Sequence, residues 1–422
     1  MELLIAVFVI GYLFIALEHN VKIDKAATAI TLGAVSWVII SLSGILPQEK
    51  LGDSLAHHLS EISAILFFLI GAMTIVEIID SYEGFRIITD KIKTRNKTTL
   101  LWLVSGVTFF LSAVLDNLTT TILMVSIARK LVQEDNERKT LVGMIVIAAN
   151  AGGAFSPIGD VTTTMLWVGG QVSSLELIKH CFLPSIICLV VPLIILSFSM
   201  KGTLAEPTPN TTDESAVKSD VRILILGITG LILVPVLKTV FHLPPFMGMI
   251  LSLGTIWIIT EWMHRKKTDE EKTNLAVARI LKTIDTPSVL FFLGILLAVA
   301  ALSEAGILAG LAKSLDKTIG NNAIVAIIIG LASAVVDNVP LVAATMRMYS
   351  LVDFPIDHFM WQMIAFCAGT GGSVLIIGSA AGVAAMGIEK IPFGWYFKKI
   401  GTLALVGYFA GVAVLLLQHN IS

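Results

Sequence analysis

The chain has 422 residues, of which 55% are hydrophobic and only 14% are charged, and its formal net charge is −2. Soluble domains carry about 25% charged residues, so this chain has too few polar groups to cover a surface in water. Its apolar runs are much longer than the roughly 9–11 residues of a spanning β-strand. The composition therefore predicts an all-α polytopic membrane protein in the lipid bilayer, and the charge gives no indication of nucleic-acid binding.

The apolar segments predict the number of membrane spans. Uninterrupted stretches with the length of single spanning helices lie at about 2–17, 27–46, 62–80, 181–199, 222–241, 245–263, 287–303 and 400–418. Further stretches are broken in the middle by polar residues or glycines, and they lie at 100–132, 141–168, 321–350 and 361–388. Together these segments predict about 10–11 spans.

The distribution of basic residues predicts the orientation. With the N-terminus outside, most lysines and arginines fall on inner segments, as the positive-inside rule requires. The exceptions are Lys50, Lys179, Lys238, Lys313, Lys317 and Arg347. The same orientation results whether 100–132 and 321–350 return to their own side or each form two full spans, so it does not prove re-entrance.

The two halves of the chain resemble each other. Residues 112–117 (SAVLDN) match 333–338 (SAVVDN), and the glycine pair at 152–153 matches the pair at 371–372 at nearly the same offset. Under the topology above, the first copy starts outside and the second starts inside, so we expect inverted repeats. Inverted repeats with broken helices bind their substrates near the middle of the membrane.

The predicted domains follow from these boundaries and from the polar, Pro- and Thr-rich composition of the segment between the halves. They are N-terminal scaffold helices at 1–50; a first repeat at 51–200 with a re-entrant hairpin at 100–132 and a broken helix at 141–168; a cytoplasmic linker at 201–220; scaffold helices and an inner-surface segment at 221–285; and the rest of the second repeat at 286–422 with a hairpin at 321–350 and a broken helix at 361–388.

Two acidic residues at membrane depth indicate the functional site. Asp116 and Asp337 lie in the middle of apolar runs, and each is followed by an asparagine. A charged side chain there costs at least about 2.5–3.5 kcal/mol and normally faces a cavity. The alternative is that each aspartate caps the helix that follows it. Capping and ion binding are compatible with each other.

The second polar element of each half is a glycine-rich break, at 150–164 (NAGGAFSPIGDVTTT) and at 369–379 (GTGGSVLIIGS). Such breaks free backbone carbonyls and are tolerated only beside protein or a cavity. Hard cations prefer carboxylate, carbonyl and hydroxyl oxygens. The predicted cation ligands are therefore Asp116, Asn117, Thr119, Thr120, Asn150, Asp160, Thr162, Thr163, Asp337, Asn338, Ser373 and Ser379.

The two halves differ in charge, which suggests a mechanism. The first half carries two acids in its breaks, Asp116 and Asp160, whereas Ser379 replaces the second acid in the other half. Two carboxylates in one apolar cavity hold either a cation or protons, which is sufficient for exchange of Na⁺ for H⁺ if the site opens to one side at a time. Glu61 is a weaker candidate for the proton path. The chain has no nucleotide motif, metal spacing or nucleophile constellation, so we expect neither an enzyme nor a cofactor.

These residues resemble a known family. The strings LDNLTTT (115–121) and SPIGDVTTTMLW (156–167) are similar to those of the NhaD-type Na⁺/H⁺ antiporters, in a superfamily that also contains arsenite permeases and dicarboxylate carriers. The resemblance implies exchange of Na⁺ or Li⁺ for H⁺, placement in the inner cell membrane, and a homodimer in which a core of hairpins and broken helices moves like an elevator against a scaffold. It implies functional roles for Asp116, Thr119, Asn150, Asp160, Thr162, Thr163, Asp337 and Glu61.

The alternative function is a permease for arsenite, another oxyanion or a dicarboxylate. It requires an arginine, a lysine or open helix N-termini near the two Asp-Asn elements, and no Arg or Lys lies within the breaks. The dicarboxylate carriers have Ser-Asn-Thr where this chain has Asp-Asn, which argues against an organic anion. A receptor or membrane enzyme on a helical bundle has no supporting motif.

Overall fold

The computed structural model describes residues 1–16, 18–85, 92, 94–204, 221–265 and 276–421. Apart from an isolated bridge between Asn96 and Thr203, the regular elements of these residues are helical, which confirms the predicted all-α class. Most of the predicted linker, from residue 205 onward, lies outside the described residues. So do residues 266–275 of the predicted inner-surface segment.

The described residues form twenty α-helices and one π-helix. They are α1 (Glu2–Ala16), α2 (Glu18–Val21), α3 (Lys25–Ser43), α4 (Gln48–Ser81), α5 (Lys97–Ser112), α6 (Asn117–Leu131), α7 (Asp135–Ala154), α8 (Val161–Val168), α9 (Ser174–Ser197), α10 (Val221–Phe241), α11 (Pro245–His264), α12 (Val277–Ile280), α13 (Thr286–Glu304), α14 (Ile307–Ile319), α15 (Asn322–Ala332), α16 (Asn338–Met348), α17 (Phe359–Gly371), α18 (Ala380–Glu389), α19 (Phe393–Tyr396), a π-helix (Phe397–Gly401) and α20 (Thr402–Ile421).

Among the described residues, seven helices are long and apolar enough to cross a bilayer, and eight if the sharply bent pair α14–α15 counts as one span. The chain is therefore a multi-pass membrane protein. Helix α1 has 15 residues and is shorter than a typical span of about 20. The predicted total of 10–11 spans also counts α1 and the interrupted segments.

Helices α3 and α13 pack closely in the part of the molecule that borders the breaks. A Cβ atom at Gly33 would lie 2.6 Å from the carbonyl oxygen of Gly294, so the two backbones touch through glycines. The indole Nε1 of Trp37 donates to the carbonyl oxygen of Leu297 at 3.0 Å. Small residues let helix backbones approach in this way in membranes. We call α1, α3, α4, α10, α11 and α13 the scaffold helices, which adds α4 and α13 of the predicted repeats to the predicted scaffold segments.

Helices α5 and α6 form the first antiparallel pair, and both pack against α7. At one end, Lys97 pairs with Glu137 near the start of α7. At the other end, the Ser112 hydroxyl donates to the carbonyl oxygen of Ala149 at 2.6 Å, so α5 runs parallel to α7. Helix α6 returns, because Arg138 donates to the carbonyl oxygen of Val132 at 3.3 Å. We call residues 113–117, between the two helices, the first tip.

Helices α15 and α16 form a second antiparallel pair beside α17. The Ser333 hydroxyl donates to the carbonyl oxygen of Ala368 at 3.1 Å, as Ser112 does in the first half. The end of α16 returns to the start of α15, because the Tyr349 hydroxyl donates to Asp316 at 3.2 Å, and α14 ends only three residues before α15 begins. We call residues 333–338 the second tip.

The two broken helices, α7–α8 and α17–α18, run antiparallel to each other. The start of α7 meets the end of α18 through a hydrogen-bonded ion pair between Arg138 and Glu389. The far end of α8 meets the start of α17, because the Asp357 N–H donates to the carbonyl oxygen of Gln171 at 2.8 Å. Their breaks therefore lie side by side in the middle, with one tip beside each. We call the two antiparallel pairs and the two broken helices the core.

Candidate cation site at the helix breaks

Each of the four breaks ends on a side chain that accepts a hydrogen bond from a backbone N–H of the following helix. These N-caps are Asp116, Asp160, Asp337 and Ser379. The first turn of a helix leaves N–H groups without internal partners, and Asp and Ser are among the side chains that satisfy them. Capping is thus one role of these residues, and each carboxylate retains further acceptor positions for a cation or a proton.

Thr119 donates two hydrogen bonds to Asp116. One carboxylate oxygen accepts from the Thr119 N–H at 2.8 Å and the other from the Thr119 hydroxyl at 2.7 Å. The carboxylate is thereby fixed in orientation without being neutralised, since both donors are uncharged.

The side chain of Asn117 joins the first tip to the first broken helix. Its Nδ2 donates to Oδ1 of Asn150 at 3.0 Å and to Oδ2 of Asp160 at 2.5 Å. The second oxygen of Asp160 accepts from the N–H and the hydroxyl of Thr162, at 2.8 and 2.7 Å. Asp160 is only 2% exposed, and none of these donors carries a charge. The two acids of the first half are thus linked through the tip.

Asn150 connects the two halves of the chain. Its Nδ2 donates to the hydroxyl oxygens of Ser373 and Ser379, each at 2.9 Å, while its carbonyl oxygen accepts from Asn117. The matching position of the second half is Gly369, which has no polar side chain. One asparagine therefore joins both broken helices, and the two breaks are not chemically equivalent.

A cavity of about 80 Å³ opens beside the tips, large enough for a small cation and several waters. Six of the predicted ligands line it: Asp116, Asn117, Thr119, Asp160, Asp337 and Asn338. Ser379 lines a smaller neighbouring cavity that also borders Asp337.

The remaining predicted ligands lie behind the cavity wall, as members of the bond network or the packing. Thr163 bonds the carbonyl oxygen of Asp160 at 2.9 Å, and the buried Thr120 hydroxyl has no partner among the described residues. Asn150, Thr162 and Ser373 act on the acids through the hydrogen bonds described above. Their predicted role as direct ligands stays a prediction.

Lys25 is a site residue that the sequence analysis missed. It is the first residue of α3, and its ammonium lies 3.9 Å from Oδ2 of Asp337 at the edge of the cavity. No basic residue lies within the breaks, but the folded chain brings this one to the second tip from more than 300 positions away. Its only signal in the sequence is a lysine at the start of an apolar helix, which is common at membrane surfaces.

Glu61 lies outside the cavity. It pairs with Arg347 at 2.5 Å, lies within 3.6 Å of His57 and His58, and is 45% exposed. His58 is buried and bonds Glu304 at 2.8 Å. This cluster joins scaffold helix α4 to α16 of the core, and the sequence does not indicate these pairings.

Known proteins are similar to this chain over most of its length. A family model described as citrate transporter matches residues 12–363. Sodium/proton antiporter 1 of Arabidopsis thaliana is 49% identical over 98% of this chain and 72% of its own length. The Na⁺/H⁺ antiporter NhaD of Alkalimonas amylolytica is 30% identical over 97% of this chain and 89% of its own length.

The chain belongs to the NhaD-type antiporter family. The NhaD of Vibrio cholerae is similar over the same extent, with 32% identity over 98% of this chain and 91% of its own length. The resemblance read from the Asp-Asn and GDVTTT elements is confirmed. An NhaD-type chain is a transporter, so the expectation that it is not an enzyme is confirmed as well.

Proposed function

We propose that this chain exchanges Na⁺ for H⁺ across the membrane and that the two ions compete at Asp116 and Asp160. The observation that carries the proposal is the Asn117 amide, which bonds Asp160 while both acids line one cavity. No described basic side chain pairs with either acid. A carboxylate buried in a largely apolar cavity needs a charged partner or a proton. In a transport cycle, Na⁺ is that charged partner and H⁺ is that proton. Both are transported substrates and neither is a resident cofactor.

The bond network suggests how each ion is held. The carbonyl oxygen of Asn117 is left open, since its nitrogen makes both hydrogen bonds. Together with carboxylate oxygens of Asp116 and Asp160 and the Thr119 hydroxyl, it offers the oxygen ligands that a hard cation prefers. When protons replace Na⁺ or Li⁺, they neutralise the same carboxylates. Binding of one ion therefore opposes binding of the other.

We further propose that the two antiparallel pairs are re-entrant hairpins of inverted repeats. The antiparallel course of the broken helices supports this. The open end of the first pair lies beside Glu389, and the end of α16 lies beside Gly169, where a Cβ atom would come within 2.5 Å of the Met346 Cε. Hairpins that enter from opposite sides would meet at the middle, where the breaks lie. Motion of the core against the scaffold helices would then expose the cavity to either side in turn.

The remaining assignments rest on the family resemblance and the distribution of basic residues. We propose an inner cell membrane location with the N-terminus outside, and a homodimer. Glu61 is proposed for the proton path at some distance from the cavity. Its support is the contact that it makes between the scaffold and the core, through Arg347.

Everted membrane vesicles with a fluorescent dye for the pH gradient test the proposed function. Addition of Na⁺ or Li⁺ to vesicles with wild-type protein should collapse part of the gradient, and Asp116→Ala and Asp160→Ala should abolish the response. Asp353→Ala removes an exposed acid in a loop and should exchange normally. Unchanged exchange in both site variants would remove the assigned site, and a flat trace from folded wild-type protein would reject the antiport itself.

Anion transport is the alternative, and Lys25 is the observation in its favour. A cationic side chain at the cavity edge is what an anion site requires. The same cavity, however, has Asp116, Asp160 and Asp337 on its wall, so the carboxylates outnumber the lysine. That balance favours a cation. Uptake of labelled citrate or arsenite by vesicles that show no Na⁺-dependent proton movement would reverse the choice.

A further inference from the structure

The aspartates of the two tips differ in their hydrogen bonds. Asp116 receives both hydrogen bonds from Thr119, one from the backbone and one from the hydroxyl. Asp337 receives one described hydrogen bond, from the Val339 N–H to Oδ1 at 3.0 Å. Pro340 stands at the position that matches Thr119, so no hydroxyl is available there. The second oxygen of Asp337 is therefore open to a different partner.

Lys25 is that partner. Its ammonium lies 3.9 Å from Oδ2 of Asp337 and 4.8 Å from the ring centroid of Phe291. The lysine side chain is 25% exposed and the aspartate 19%, so water screens the pair only in part. The Asp24 side chain caps the start of α3, which fixes the backbone from which the lysine extends. An aromatic face on one side and a carboxylate on the other hold the ammonium at the second tip.

The ammonium stands where a cation at the second tip would bind. Lys25 and Asp337 line both the cavity that contains Asp116 and Asp160 and the smaller cavity that contains Glu18. The pair thus separates the two cavities. The positive charge of Lys25 would repel a cation that approached Asp337 from either cavity.

Asn338 shows that protein groups alone do not complete the second tip. It is only 4% exposed, and its Nδ2 has no hydrogen-bond partner among the described residues. The matching Asn117 makes two such bonds. The positions that would receive Asn338 are Gly369, which lacks a side chain, and Ser379, which already bonds Asn150. The second tip therefore contains an Asn338 amide nitrogen without a described partner and an Asp337 oxygen, Oδ2, that accepts no described hydrogen bond.

We propose that Lys25 is a tethered cation that neutralises Asp337 and competes with transported cations for the second tip. The inference rests on the proposed function, because it assigns the number of ions that the exchange site holds in this conformation. The first tip binds the transported ion, and the second tip holds the lysine in place of another.

The pair also joins the scaffold to the core. Lys25 and Phe291 lie on scaffold helices α3 and α13, whereas Asp337 lies at the second tip of the core. Movement of the core away from α3 separates the ammonium from the carboxylate. Another cation or a proton must then neutralise Asp337, so Lys25 is a positioning residue that links ion occupancy to the conformation.

Binding of radioactive sodium to the purified full-length chain tests the proposal. Lys25→Met should bind one more Na⁺ per chain than wild type. Wild type should fill that additional site only at Na⁺ concentrations at least about tenfold higher, because its Lys25 charge lies about 4 Å from Asp337. Lys25→Arg should match wild type, since it keeps the charge. Lys22→Met changes an exposed lysine three residues away and is the matched control. Lys25→Met combined with Asp337→Asn should return to the wild-type count.

A Lys25→Met isotherm that superimposes on wild type would overturn the proposal. If Lys25→Met does not elute as folded protein in size-exclusion chromatography, Na⁺ binding by Asp337→Asn tests the proposal instead. The proposal requires that Asp337→Asn binds as many Na⁺ ions as wild type, whereas loss of one would show that the second tip already held an ion. Vesicle exchange distinguishes failure of this inference from failure of the proposed function. If wild type exchanges Na⁺ for H⁺ normally, the proposed function stands even when the Lys25 variants refute the inference.

Discussion

Gly152 is the position where a single methyl group should uncouple the tip from the broken helix. It lies in α7 against α5, and a Cβ atom there would come within 2.1 Å of the carbonyl oxygen of Phe109. Ordinary contact begins at 3.4 Å, so Gly152→Ala requires the two helices to separate by about 1.3 Å. The obstacle is backbone, which no rotamer change can relieve. Overpacking of this kind costs about 1–3 kcal/mol.

The displacement acts on the site through the rigid helix α5. The hydrogen bond from Asn117 to Asp160 is 2.5 Å long, and an added 1.3 Å would bring it beyond the limit of about 3.2 Å for an N–H···O bond. A hydrogen bond to a charged group contributes about 1.5–3 kcal/mol. If that bond contributes to the transport transition state, its loss lowers the exchange rate by roughly 10- to 100-fold.

The assay is Na⁺-dependent proton movement in everted vesicles, normalised to the amount of folded protein. Gly106→Ala is the matched control, because it lies in α5 and a Cβ there meets nothing within 4 Å. Alanine is about 0.5–1 kcal/mol better than glycine inside a helix, so this control should be slightly more stable and fully active. Wild-type exchange by Gly152→Ala would refute the close approach and the argument built on it.

Further predictions concern the capping hydroxyl and a buried ion pair. Thr119→Val removes the 2.7 Å bond to Asp116 but keeps the N–H cap, so the apparent Na⁺ affinity should fall about tenfold, while Thr119→Ser should retain it; equal affinities of the two variants would contradict a role of the hydroxyl. Arg138→Ala leaves the Glu389 carboxylate, which is 7% exposed, with Arg129 at 3.6 Å as its remaining described ion-pair partner. The free energy of unfolding should fall by about 3 kcal/mol, measured by denaturation in detergent, and the double variant with Glu389→Ala should regain most of it; a double variant as unstable as the single one would exclude the unpaired charge as the cause.

The breaks could be located from the sequence because their signal is local. Asp116 and Asp337 interrupt apolar runs, and a charge at that depth is costly whatever surrounds it. The Asp-Asn elements and the glycine pairs recur at nearly the same offset, so the sequence alone relates the two halves. Capping of the following helix, the alternative given for Asp116 and Asp337, is what both side chains do in the structure.

Local signals also limited what could be predicted. No lysine lies within the breaks, but Lys25 reaches the second tip from another helix, so the broken segments alone do not give all the charges at the site. Glu61 pairs with Arg347 of α16, and His58 beside it bonds Glu304 at the end of α13, so both contacts depend on how α4 packs against other helices. Nothing in the sequence near these residues specifies such partners.

The sequence by itself determined the membrane class, the family, the positions of the breaks and the residue types that they expose. Those properties follow from composition and from the cost of polar groups in an apolar medium, which act on each segment separately. Only the tertiary structure decided that Asn150 joins Asn117 to Ser373 and Ser379, and that Lys25 faces Asp337. Those contacts are between residues far apart in the chain, so they depend on how whole helices pack, and the resulting difference between the two tips is a property of the folded molecule.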